Sequence, residues 1–336
     1  MKALRALALL GLTTVLAACS PGKSAAPQAE SGSNVIRFAT DWRAQAEQGG
    51  FYEALANDEY AKRGLKVQIV QGGPGVNVPQ LLAAGAVEAG MGSNSFIALN
   101  LANEGVPVRA VAAMMQKDPQ VLIAHPGQGI ERIEDLKGHP ILLSDASVSA
   151  FWVWLRSKYG FTDAQVHKYT FNSAPFLADT SVAQQGYATS EPYTIEKASG
   201  LKAKVFLLAD NGYPSYATMI LFPQAQIDKN PAMVRAFVEA SAKGWHDYLY
   251  GDPAPADALI RKDNPEMTQD VLDQAREKMR SFGIVDGGDA KVAGIGTMND
   301  TRWEAFATMA ISQGVYPKGL DYKKAYTLQF VTPAKP

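Results

Sequence analysis

The residues best suited to chemistry in this chain are Thr189-Ser190-Glu191-Pro192-Tyr193. A short alternating run, Gln185-Gly186-Tyr187-Ala188, precedes them, and a helical pattern, Thr194-Ile195-Glu196-Lys197-Ala198, follows. A proline just inside a helix start is costless, because its missing N–H would be unpaired there in any case. Glu191 is therefore expected where a strand ends and a helix begins, with its carboxylate at a loop mouth. In α/β sheets ligands collect at that edge. A carboxylate there accepts hydrogen bonds, so it selects amines, amides or cations over anions. The alternative is a helix-start acid held only by the macrodipole.

Other side chains of the same kind fall at other predicted strand ends. Asp41 and Trp42 follow the strand Val35–Thr40, and Gln45 lies in the polar loop that comes next. Ser93-Asn94-Ser95 follows a strand over 87–91, Gln116 follows Val108–Met115, and Asp145 follows Ile141–Leu143. Trp42 offers a stacking face, and Ser93, Asn94 and Gln116 mix donors with acceptors. Trp152 and Trp154 lie two apart in a helix, so only one of them can face a cleft; Trp152 is the preferred one, with Tyr193 a further candidate for the face opposite Trp42. His125, His139, His167 and His246 are scattered without metal-ligand spacing. Nucleophile elbow, phosphate loop and dinucleotide fingerprint are all missing, and Gly72-Gly73-Pro74-Gly75 reads as a tight turn. No metal site, no cofactor and no catalytic residue is expected.

The elements that must position these residues alternate strictly. Strands are expected at 35–40, 65–70, 87–91 and 108–115, separated by helices with Tyr52, Leu82 and Phe96 on their apolar faces. That alternation predicts a parallel sheet covered on both faces. A second α/β unit follows a crossover near Gly127-Gln128-Gly129, with strands at 141–143, 166–171 and 204–208. The strand-like run Tyr216–Phe222 should cross back to the first unit. Three amphipathic helices complete the chain, behind Asn230-Pro231, over 268–282 and around Trp303, Phe306 and Ala310; their stripes are core. The expected organisation is residues 35–124 plus 218–336 as one lobe and 125–217 as the other. Two crossings between them make a hinged clamp, and clefts between domains are favoured ligand sites.

Compartment follows from the first residues. Lys2 and Arg5 precede an apolar run, Ala6–Ala18, too short to span a bilayer and suited to a secretory signal. Leu16-Ala17-Ala18-Cys19 has the form of a bacterial lipoprotein signal, and Cys19 is the only cysteine of the 336 residues. Residues 1–19 are thus expected to be a signal ending at a lipidated Cys19, and 20–34, rich in Ser, Gly, Pro and Ala, a flexible tether. The resulting protein would be lipid-anchored on the extracytoplasmic face of a membrane. A net charge of -1 gives no electrostatic case for nucleic acid.

The mature chain resembles the solute-binding lipoproteins of ABC importers related to thiamine-pyrimidine and sulfonate binders. The likeness is carried by Thr40-Asp41-Trp42, Lys62-Arg63-Gly64-Leu65-Lys66-Val67, Leu82-Ala83-Ala84-Gly85, Glu88-Ala89-Gly90-Met91-Gly92, Gly105-Val106-Pro107-Val108, Ala113-Met114-Met115-Gln116, Ile133-Glu134-Asp135-Leu136-Lys137-Gly138 and Ser190-Glu191-Pro192-Tyr193. It implies a type II periplasmic-binding fold, a monomer, and delivery of a small molecule to permease and ATPase subunits. The related fungal-type pyrimidine synthases use a cysteine-rich iron motif with a lysine and histidine for pyridoxal phosphate; with Cys19 its sole cysteine, this chain is not expected to be an enzyme of that kind.

The expected cleft carries Asp41, Asp145 and Glu191 and no comparable basic set. Burying an anion against carboxylates costs several kcal/mol per unpaired charge. A neutral aromatic heterocycle with N–H donors fits better, a thiamine-type pyrimidine first. The loop 43–50 departs from the proline- and histidine-containing stretch usual after Asp-Trp in pyrimidine binders, which keeps a larger flavin-like ring open. A sulfonate or other anion could be held by the amides at the Ser93-Asn94-Ser95 helix start, and as the cleft's ligand it would need a cation such as Lys117 or Arg43. A lipoprotein sensor is the remaining alternative.

Overall fold

The computed structural model describes residues 35–73 and 75–331. The signal, Cys19, the tether and Pro74 lie outside the described residues.

The first sheet contains β1 (Val35–Ala39), β2 (Lys66–Val70), β3 (Ala89–Asn94) and β4 (Val108–Met115). The second contains β5 (Gln120–Ala124), β6 (Ile141–Leu143), β7 (Val166–Lys168), β8 (Ala183–Tyr187) and β9 (Lys204–Leu207). Strand β10 (Ala217–Pro223) returns to the first sheet, giving orders β2-β1-β3-β10-β4 and β7-β6-β8-β5-β9. The chain therefore passes between sheets twice, between Met115 and Gln120 and between Leu207 and Ala217. Two α/β lobes result.

Two expectations are corrected. The sheets are mixed rather than parallel: β10 runs antiparallel to β3 and β4, and β5 antiparallel to β8 and β9. A strand entering from the other lobe has no crossover helix to reverse it, so it lies against its neighbours' direction. Strand β5, expected in the first lobe, pairs with β8 and β9 and so belongs to the second sheet.

Helices α1 (Gly49–Ala56), α2 (Val78–Ala83) and α3 (Ser95–Asn103) follow β1, β2 and β3. In the second lobe come α4 (Asp145–Val148), α5 (Phe151–Tyr159), α6 (Ala174–Ala178) and α7 (Glu191–Ser199). Ser149 and Ala150 separate α4 from α5, the helix that carries Trp152 and Trp154. After β10 come α8 (Gln224–Lys229), α9 (Pro231–Tyr250), α10 (Ala254–Asp263), α11 (Gln269–Ser281), α12 (Ala290–Ala293) and α13 (Asp300–Ser312).

Helix α9 anchors the first lobe. Phe237 packs 5.3 Å from Phe38 of β1, and Trp245 meets Phe51 of α1 edge-on at 5.9 Å. The two helices cross on glycines: a Cβ at Gly244 would sit 2.2 Å from the Gly50 carbonyl oxygen. Helix α11 is tied to this body by a buried ion pair, Arg276 Nη1 to the Asp257 carboxylate of α10 at 2.7 and 2.9 Å, with the Tyr248 hydroxyl alongside. Among the described residues no helix is long and apolar enough to cross a membrane.

Candidate ligand-binding site

Loops at the ends of β1, β3 and β8 bring a set of acids together. Asp41 leaves β1 and accepts a 2.5 Å hydrogen bond at Oδ2 from the Ser93 hydroxyl at the end of β3. Its other oxygen, Oδ1, is buried without a hydrogen-bond partner among the described residues. Burial pushes the Asp41 carboxyl upward, opposed by the Ser93 hydroxyl and the Gln48 amide. Gln48 itself is 1% exposed, and its Oε1 also has no partner.

Glu191 is the first residue of α7, as its strand–helix position predicted. Its Oε2 accepts the Tyr187 N–H at 2.8 Å. This contact needs Gly186, where a Cβ would lie 2.8 Å from both the Glu191 Cβ and Ile123. A solvated acid held only by the macrodipole would titrate low; burial instead raises Glu191, and nearby Glu47 adds to the rise.

Two carboxylates not expected at the site join it. Glu47, in the short 3₁₀ turn Ala46–Gln48, accepts a hydrogen bond from the Thr189 hydroxyl of the second lobe, and burial followed by the charge of Asp41 raises its carboxyl. Asp118, in the first crossing, is 2% exposed, and burial pushes it up to about 7 against the hydrogen bond from Gln120 N–H and the charge of Arg302. The Tyr187 phenol lies within reach of all four acids: burial, then Asp118, Asp41, Glu47 and Glu191, holds its proton well above the ordinary range. None of the four makes an ion pair among the described residues, although the charge of Arg302 reaches Asp118. Glu47 was legible only as one acid in a polar loop, and Asp118 only as the residue before Pro119, since neither spacing signals convergence.

The remaining candidates separate. Trp42 is half-buried, and the aromatic across from it is Phe171, at 5.9 Å and 39°. Phe171 is 63% exposed and holds φ at +59°, a conformation costly for a bulky residue and typical of functional positions. Trp152 is corrected: it is 0% exposed, packs on Phe161, and gives its indole N–H to Asp163 at 2.9 Å. Turned inward by the break at Ser149 and Ala150, it has no face for a ligand. Asp145 is exposed and paired with Lys168 at 3.2 Å, away from the buried acids. Gln116 spends its amide N–H groups on the carbonyls of Ala113 and Thr297, leaving Oε1 buried and unpartnered. Asn94 caps α3 through Oδ1 to Phe96 N, while Gln45 opens the 3₁₀ turn without a side-chain cap.

Tyr193 donates its hydroxyl to Asp270 of α11, which Lys197 also reaches at 2.6 Å. Gln274, one turn further along α11, donates to the Thr189 carbonyl at 2.5 Å. These contacts clasp the Glu191 segment to the first lobe. The two cations an anion site would call on are engaged elsewhere, Arg43 with Glu266 at 3.4 Å and Lys117 with Asp210 at 2.5 Å. Among the described residues no group of three or more His, Cys, Asp or Glu is arranged to hold a metal ion.

Residues 45–256 match the NMT1/THI5-like family. This chain belongs to that family. The chain is 24% identical over 326 residues to the riboflavin-binding protein RibY of Chloroflexus aurantiacus, covering 95% of this chain and 92% of that one. It is 22% identical over 287 residues to the formylaminopyrimidine-binding protein of Halalkalibacterium halodurans, covering 84% and 86%. Among solved structures, the aliphatic sulphonate binding protein SsuA of Escherichia coli superposes with a TM-score of 0.67 at 15% identity, covering 90% of this chain and 95% of that one. At that identity the likeness is one of fold: two periplasmic-binding lobes.

Proposed function

We propose that this protein captures a flat, nitrogen-bearing aromatic ring with N–H donors, a thiamine-type pyrimidine or a flavin, and passes it unaltered to an importer. The observation that carries this reading is the polarity of what the cleft leaves unpaired. Asp41 Oδ1 and Gln48 Oε1 are buried acceptors with no donor among the described residues, set among the half-buried Asp41 and Glu191 and the buried Glu47 and Asp118, of which Asp118 alone feels a nearby cation, Arg302. Each unmet buried acceptor costs about 1–3 kcal/mol, so a ligand supplying N–H groups recovers that cost and an oxyanion adds to it. Trp42 and Phe171 supply aromatic faces from the two lobes, Trp42 the one expected to stack on the ring. On this reading Ser93, Asn94, Gln45, Gln116 and Glu47 line or brace the first-lobe side, and Tyr187 and Thr189 face them from the second lobe.

The pyrimidine and flavin readings are supported by the ligands for which the two relatives are named, and a sulfonate is disfavoured by the pairing of Arg43 with Glu266 and of Lys117 with Asp210. With no nucleophile–base pair in the acid cluster, the reading is transport rather than catalysis. Lipidation at Cys19, an extracytoplasmic location, a monomeric state and partnership with permease and ATPase subunits belong to the same proposal. Calorimetry with an aminopyrimidine, riboflavin and an alkanesulfonate tests it: a ring compound binds and the sulfonate does not. Binding of the sulfonate alone overturns the reading.

A further inference from the structure

Asp41 and Ser93 face two ways. Besides the acid cluster, they form the inner wall of a cavity of about 500 Å3 that runs between the loop before α2 and the outer face of α3. That is the size of a site for a whole small molecule rather than for one six-membered ring. Its sides are apolar where Val76, Met91 and Ile97 line it, and polar where Asn77, Asn100 and Glu104 do.

The polar groups are specific in what they offer. Asn77 Oδ1 is used to accept Gln80 N–H at 3.0 Å, and Asn100 Oδ1 accepts the Tyr316 hydroxyl at 2.5 Å. With these oxygens engaged, the NH2 group is what each asparagine has left to offer a ligand, while Glu104 and Asp41 offer acceptors. No lysine, arginine or histidine lines the cavity. Alternating apolar wall, donor and acceptor suits a chain of carbons carrying hydroxyls, since every hydroxyl both donates and accepts. An anionic group would meet two carboxylates and no compensating charge.

We infer that this cavity is a second subsite, continuous with the ring site through Asp41 and Ser93, which takes an uncharged hydroxylated chain attached to the ring and rejects its phosphate ester. The inference rests on the ring-binding reading above and names the substituent that reading leaves open. The solute class is then a ring with a neutral polyol or hydroxyalkyl arm.

Titrations of the purified full-length chain with matched probes test it: a methyl-capped isoalloxazine, riboflavin and the riboflavin phosphate ester, and an aminopyrimidine with and without a hydroxyalkyl arm. For whichever ring binds, the chain-bearing form binds at least tenfold tighter than the bare ring, and a phosphate ester at least tenfold weaker than the neutral chain. Ile97→Phe, which narrows the cavity away from the acids, erases the gain from the chain and leaves the bare ring's affinity unchanged. Glu104→Lys, an exposed substitution, narrows the penalty against the phosphate. Equal affinity for bare and chain-bearing rings, or tighter binding of the phosphate ester by the wild type, overturns the subsite while leaving ring binding intact. If no ring binds with or without a chain, the ring-binding reading fails and the subsite falls with it.

Discussion

Glu191 does two jobs at once. Its Oε2 braces the backbone at Tyr187, and its half-buried carboxyl sits with Asp41 and Glu47 in an acid set that makes no ion pair among the described residues. Glu191→Gln keeps an oxygen for the Tyr187 N–H but removes the charge. Affinity for the cognate ring should fall at least tenfold in calorimetry while the thermal midpoint moves by no more than a few degrees; unchanged affinity would reduce Glu191 to a structural acid. Phe171 separates function from stability more sharply. Replacing it with Gly relieves the φ of +59°, so the protein should be no less stable and should still bind the ring several-fold more weakly, read by denaturation and titration together. At this scale the chain's motifs were partly legible. Asp41-Trp42 and Glu191 could be read because each follows a strand and precedes a helix. Glu47, Asp118 and Phe171 could not, because their meeting depends on how two lobes close, and nothing in their local spacing encodes that. Trp152 was misplaced for a related reason: helical spacing says that one of Trp152 and Trp154 faces away from a cleft, but both are buried in the second lobe.

Elements carry the closure. Helix α11 is fixed to α9 and α10 by the Arg276–Asp257 pair, and its exposed first turn offers Asp270 to Tyr193 and Lys197 of α7. Tyr193, expected at the ligand, is better placed to hold the lobes together. Asp270→Asn removes the charge that Lys197 reads and should speed ligand release, seen as a larger koff with kon little changed, more so at low ionic strength where the ion pair is least screened. An unchanged koff would show that closure does not depend on the clasp. Helix α9 tests the frame itself. Gly244→Val forces a side chain into the Gly50 carbonyl and Ala54, and overpacking of this kind costs about 1–3 kcal/mol or more, measurable as a lower denaturation midpoint; an unshifted midpoint would mean that the α1–α9 crossing is looser than drawn here. The apolar stripe on α9 was readable from periodicity alone. The direction of β10 and the sheet of β5 were not, since a buried strand pattern is the same in either direction and on either side of a hinge.

At the scale of the whole molecule, the buried acids make ligand-free stability depend on pH. A carboxyl raised in the folded state binds its proton more tightly there than in the unfolded chain. Between the two pKa values the folded state holds more protons, so stability falls as pH rises through that window. For Asp118 the window runs from about 3.8 to about 7, and Asp41, Glu47 and Glu191 are raised in the same sense. Denaturation of the ligand-free protein should show stability declining from pH 5 to pH 7 by on the order of a few kcal/mol, with Asp118→Asn flattening the slope; a flat or rising profile for the wild type would contradict the burial of these groups. A two-lobed clamp could be anticipated from strict strand–helix alternation and one strand-like run far along the chain. The charge of its cleft is a property of the closed molecule.

The central claim is that this cleft wants donors. Native mass spectrometry of the freshly purified protein tests it most directly, by weighing whatever molecule travels with the chain. The account predicts an added mass belonging to a nitrogen-containing aromatic ring, retained by the wild type and lost from Glu191→Gln; an added mass belonging to a sulfonate or another oxyanion, retained by both, would contradict it.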